Sequence, residues 1–140
     1  MFEKVLVGAD DSVTARRAVE VAAEIAAMSG AQLHIASAQD PKSFATNAAE
    51  KFDTLNTEGA VDSLLQVPSF LAHKHGVEPV LHGSHGDPAA ALVRIAQEID
   101  ADLIVVGNRG MKGVRRVLGS VPNSVAHDAN CSVLIVDTTE

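Results

Sequence analysis

The sequence predicts an α/β fold: a five-stranded parallel sheet with helices on both faces. Two observations carry this. Short apolar runs rich in Val, Ile and Leu recur at 4–9, 31–38, 77–83, 102–107 and 132–137. Between them, apolar residues fall at helical spacing or stand behind helix-start signals. Strict alternation of strand and helix means crossover connections, which give parallel strands buried on both faces. The 140 residues suit a single domain, 1–140.

Each element has its own grounds. "KVLVGA" (4–9) is a buried β-branched strand leading into "DDS". Asp11 or Ser12 caps the helix that follows. Ala15, Ala18, Val19, Ala22, Ile25 and Ala26 line one face of it, and Gly30 stops it. "AQLHIASA" (31–38) is the second strand, its alternation interrupted by His34 and Ser37. The polar stretch 39–60 is expected to be loop with some helix. "VDSLLQVPSFLAHKHG" (61–76) is helical in character, but Pro68 predicts a kink or break near Val67. "VEPVLHG" (77–83) is the weakest strand, and Pro79 marks its start or a sheet edge. Asp87-Pro88 is a strong helix start, with Ala89, Leu92, Val93 and Ala96 as the buried stripe. "DLIVVG" (102–107) is the clearest strand. A last helix is expected from about Ser120 to Ala129, then the strand "SVLIVD" (132–137).

Composition excludes several classes of function. Hydrophobic residues make up 46%, with no Tyr or Trp, so the core is aliphatic. A base-stacking surface lacks its aromatics. The net charge of −7 repels a nucleic-acid backbone. Cys131 is the sole cysteine, so neither an internal disulfide nor a cysteine-built metal site is available. That fits a reducing compartment. The N-terminus lacks the form of a signal peptide, and no run approaches the ~20 apolar residues of a membrane span. The expectation is a cytoplasmic protein without membrane or nucleic-acid partners.

In open parallel sheets, ligands bind beyond the carboxyl ends of strands, where strand order reverses. Two polar turns qualify: "GADDS" after strand one and "GNRGMKG" after strand four. The second opens the stretch 107–120, which holds Gly107, Gly110, Gly113 and Gly119 with Arg109, Lys112, Arg115 and Arg116, and no acid. It is neither a P-loop nor a dinucleotide fingerprint. Its physics still suits an anion, because glycines admit close approach and Gly119-Ser120 opens a helix with free N–H groups. A capped surface turn explains the same residues about equally well. Paired Asp at strand one also builds the metal site of receiver domains. That site needs an acceptor Asp ending strand three, and neither Asp53 nor Asp87 is so placed. One of Asp11 and Ser12 serves the helix, which leaves Asp10 freer for a ligand. His73, His75, His82 and His85 read as surface histidines rather than metal ligands, and Cys131 as a packing residue. No nucleophile–base arrangement marks a catalytic residue. If the apolar strand 132–137 lies at a sheet edge it needs cover, either from a second copy or from its own chain.

Together these residues resemble the universal stress protein family over nearly the whole chain. The resemblance rests on "VLVGADDS", "GDPAAALVRIAQEIDADLIVVGNRG" and "GSVPNSVAHDANCSVLIV"; residues 40–75 match only in general pattern. It implies a flavodoxin-like, HUP-type sandwich, a homodimer through the last strand, and an ATP-binding subclass marked by G-x2-G-x9-G-S/T. Gly107, Gly110 and Gly119-Ser120 fit that signature, with eight residues ("MKGVRRVL") in place of nine. Asp11 stands where the family commonly has Gly. Carried over, Ala9 and Asp10 would meet the adenosine and the Ala38 backbone the adenine. Val106 and Gly107 would lie near ribose and phosphates, and Arg109, Gly110, Gly119, Ser120 and Val121 around the phosphates. The implied ligand is ATP, with Mg or without, or else cyclic AMP or AMP. The implied role is regulatory, with at most slow ATP hydrolysis. The spacing and Asp11 motivate the alternative, a protein-interaction module that binds no nucleotide.

Overall fold

Five strands form one all-parallel sheet: β1 (Lys4–Gly8), β2 (Gln32–Gln39), β3 (Val80–His85), β4 (Leu103–Gly107) and β5 (Ser132–Val136). Their spatial order is β3-β2-β1-β4-β5. The structure is a computed structural model and describes residues 1–9, 13–39, 57–108 and 121–138. Its helices, among the described residues, are α1 (Val13–Ser29), α2 (Thr57–Lys74), α3 (Pro88–Ile99) and α4 (Val121–Asp128). The expected caps of α1, Asp11 and Ser12, lie outside the described residues, as does 40–56 of the stretch expected to be largely loop.

Period-2 alternation sorts the strand residues between two cores. Val5 and Val7 of β1, Leu33 and Ile35 of β2, and Leu103 and Val105 of β4 pack with α1 and α2. Leu6, Ala36, Ile104 and Val106 point the other way, onto α3 and α4. The helices therefore cover both faces, as expected. Helix α1 meets the sheet through Ala18, Val19, Ala22, Ala23 and Ala26. Small side chains bring its axis close to the strands.

Helix α3 starts as predicted. Asp87 Oδ2 accepts from the Ala90 N–H at 2.9 Å, and Pro88 fills the first turn. Its buried stripe is shifted: Ala91 and Ile95 are buried as well, whereas Val93 is only half-buried. The helix ends at Asp100, whose left-handed backbone (φ 58°) returns its N–H to Ala96 O and Gln97 O. Two residues on, the Asp102 carboxylate accepts from the Glu3 and Lys4 N–H groups at 2.8 and 3.1 Å. The start of β4 is thereby fastened to the start of β1.

Of the kink or break expected near Val67, the break does not occur. Helix α2 runs through Pro68 without interruption. Proline inside a helix costs about 3 kcal/mol. Here Pro68 is buried, and the turn after it plants Leu71 and Ala72 in the core. Packing of that face outweighs the local penalty. Strand β3 begins directly after Pro79 and lies at a sheet edge, so both readings of that proline hold. Among the described residues no helix is long and apolar enough to cross a membrane.

Candidate functional site

The site follows from where the central strands stop pairing. β1 and β4 pair through Val5↔Leu103, Leu6↔Ile104 and Val7↔Val105, and no further. Beyond that point each strand turns to its outer neighbour. Gly8 pairs with Ala36 of β2, and the Ala9 N–H donates to Ala36 O at 2.8 Å. Gly107 pairs with Val136 of β5, and the Asn108 N–H donates to Val136 O at 2.9 Å. The two central strands stop pairing at their carboxyl ends. This is the point at which strand order reverses, since β1 precedes β2 on one side and β4 precedes β5 on the other.

Several predicted residues stand at or near these strand ends. Ala9 is buried just past β1, Val106 is buried in β4, and Gly107 closes β4 half-buried. Ala38 lies one strand out, two residues beyond Ala36, with its backbone in register with Ser84. Val121 is the first residue of α4 and packs against the second core. Helix α4 runs back along the sheet to feed β5, which places its N-terminus and positive dipole end at the carboxyl side. Pro122, buried in its first turn, supplies no N–H. Asp10, Arg109, Gly110, Gly119 and Ser120 lie outside the described residues.

Gly8 is fixed by packing. A Cβ there would meet Leu92 Cδ1 at 2.8 Å and Cδ2 at 3.3 Å. Helix α3 thus presses on the end of β1, and a side chain at Gly8 requires Leu92 to shift.

Three features were not read from the sequence. The first is Asn108, the residue after Gly107. It is 8% exposed. Its Nδ2 donates to Asp137 Oδ1 at 3.0 Å, and its Oδ1 accepts from Thr138 N and Thr138 Oγ1 at 3.0 and 2.8 Å. A signal for this was present: Asn108 and Asp137 each follow the end of an apolar strand. The second is Ser37, fully buried one residue before Ala38. Its Oγ has no hydrogen-bond partner among the described residues.

The third is a histidine pair at the β2–β3 edge. His34 Nδ1 and His82 Nε2 are 2.9 Å apart, with ring centroids 5.1 Å apart and ring planes 25° from parallel. Gln32 Oε1 lies 2.7 Å from His34 Nε2. An amide oxygen only accepts, so His34 carries its proton on Nε2 and receives the His82 Nε2–H at Nδ1. Burial lowers both pKa values. His82 and Lys4 push His34 further down, while Glu98 partly offsets the effect on His82. The surface reading is therefore corrected for His82, which is half-buried and engaged with a buried partner. It holds for His73, which meets Glu78 at 2.7 Å in solvent. No group of three or more metal-binding side chains occurs among the described residues. Cys131 packs against the α3–α4 core, and burial, then Asp102, raises its thiol pKa. It has the character of a packing residue rather than a nucleophile.

Comparison with known proteins shows the family and the fold. The model of the universal stress protein family matches residues 1–137. A universal stress protein of Mycobacterium tuberculosis is 40% identical over 144 aligned positions, covering 99% of this chain and 98% of its own. A crystal structure of a universal stress protein in complex with cAMP superimposes with a TM-score of 0.80 at 36% identity, covering 99% of this chain and 98% of that one. A universal stress protein from Archaeoglobus fulgidus in complex with dAMP bears on the fold alone. It has a TM-score of 0.70 at 22% identity, and covers 96% and 98% of the two chains.

Proposed function

The chain belongs to the universal stress protein family, with its flavodoxin-like α/β fold, and on that premise we propose that it binds an adenine nucleotide in the crevice between β1 and β4. The observation that carries this reading is the parting of the two central strands after Val7 and Val105. The cAMP complex of a relative 36% identical over almost the full chain supports the ligand class. In this reading the Ala38 backbone takes the adenine edge, and Ala9 and Asp10 take the adenosine. Val106 and Gly107 lie under the ribose. Arg109, Gly110, Gly119, Ser120 and Val121 surround the phosphates.

The role is regulatory. Hydrolysis of ATP is at most slow in this reading. Cyclic AMP carries less charge than ATP and suits a protein of net charge −7 with a shortened glycine segment. ATP, with or without Mg, is the other ligand of this class. The protein works in the cytoplasm as a homodimer. β5 is an open edge whose Val133, Leu134 and Ile135 are only half-buried, and pairing with β5 of a second copy covers them.

Titration calorimetry with cyclic AMP and with ATP, at about 0.1 mM protein to detect micromolar affinity, tests the proposal. Saturable heat with one of them is expected, reduced in Asp10→Ala and Ser120→Ala. No heat with either nucleotide overturns the reading. It would favour a protein-interaction role instead, for which the eight-residue spacing between Gly110 and Gly119 is the specific ground.

A further inference from the structure

Asn108 sits inside the G-x2-G segment, between Gly107 and Gly110. Each of its hydrogen bonds described above runs the same way, toward the end of β5. Its main chain holds Val136 O, its Nδ2 holds Asp137, and its Oδ1 takes both donors of Thr138. An amide side chain alone satisfies this set, because one end must donate to a carboxylate while the other accepts twice. Asp would set two carboxylates against each other, and a hydrocarbon would leave a buried acceptor and donors without partners. The first residue after β4 is thus tied outward, away from β1, and the crevice stays open on that side.

We propose that Asn108 is a positioning residue for the nucleotide. It locks the start of the glycine-rich segment to the exit of β5, so that affinity depends on Asp137 and Thr138, which β4 separates from β1. The proposal rests on the nucleotide reading above. By linkage, what the C-terminal residues do for the ligand the ligand does for them. Bound nucleotide slows exchange of the Thr138 amide, whose N–H donates to Asn108 Oδ1.

Calorimetric affinity for cyclic AMP and ATP, measured on the full chain, provides the test. Asp137→Ala weakens binding about fivefold, at the lower end of ordinary coupling between sites. Thr138→Val weakens it about twofold to threefold, the scale of one neutral hydrogen bond, whereas Thr138→Ser retains wild-type affinity. In an Asn108→Ala background both losses disappear, as a double-mutant cycle requires of residues acting through one partner. Amide exchange at Thr138, with and without nucleotide, supplies a readout on the unmodified protein should Asp137→Ala fail to fold. Wild-type affinity in Asp137→Ala and Thr138→Val, or losses that persist without Asn108, overturns the proposal while leaving the nucleotide reading intact. A wild-type chain that binds neither nucleotide overturns both.

Discussion

The centre of the sheet and its β2–β3 edge solve opposite problems. At the centre, β1 and β4 are lined by Leu6, Val7, Ile104 and Val105, all inaccessible to solvent. Polarity there comes from the main chain and from Asn108. At the edge, His34, His82, Gln32 and Ser84 carry polarity on side chains, and Arg94 Nη2 donates to Ser84 Oγ at 2.6 Å. The centre is limited by space, since even one methyl at Gly8 collides with Leu92. The edge is limited by protonation, since its two rings share a single proton along their contact. A crevice built from backbone keeps its shape as pH changes, whereas a bond between two neutral imidazoles does not.

That contrast can be broken from either side. The largest effect belongs to the centre. Leu6→Ala deletes a side chain buried between β1 and the α3–α4 helices, and costs about 2–5 kcal/mol. Urea unfolding measures it, and the loss should be the same at pH 7 and pH 5.5. Gly8→Ala costs about 1–3 kcal/mol through overpacking. Its penalty should shrink in a Leu92→Ala background, because the colliding atoms are gone. Equal penalties in both backgrounds would separate Gly8 from α3.

The edge predicts a pH effect of defined sign. Folded pKa values of His34 and His82 lie below the ordinary 6.5. Between those values and 6.5 the unfolded chain binds more protons than the folded one, so stability rises with pH. The contribution is complete above 6.5 and is lost as pH falls through 6.5 toward the folded values. Thermal unfolding of the wild type should therefore decline more steeply below pH 6.5 than that of the His34→Leu/His82→Leu double variant. Parallel curves would remove the pair from the account. The smallest effect is at Ser37. Its buried hydroxyl makes no bond among the described residues, so Ser37→Ala should change stability by less than about 1 kcal/mol, toward stabilisation.

The same contrast explains what could be read in advance. Apolar periodicity and cap chemistry are local, and they located all five strands and the Asp87 cap. The reversal of strand order between β1 and β4 is where a topological rule turns alternation into a candidate position. Pro68 misled because its local penalty is offset by burial of Leu71 and Ala72, a tertiary quantity. The histidine pair was hidden because its members are 48 residues apart and meet only through the register Ala36↔His82. Asn108 was passed over as a variable position between two glycines, because its partners lie 29 and 30 residues ahead. Glycine and basic residues drew notice by type; an amide acting through geometry did not.

The central claim is that the ligand lies where β1 and β4 part. Mapping amide chemical shifts during a titration with cyclic AMP tests it most directly. The account predicts the largest changes at Ala9, Ala38, Gly107 and Asn108, with Leu81 and His82 at the outer edge nearly still. Changes concentrated at Leu81 and His82, with Ala9 and Gly107 unmoved, would contradict it.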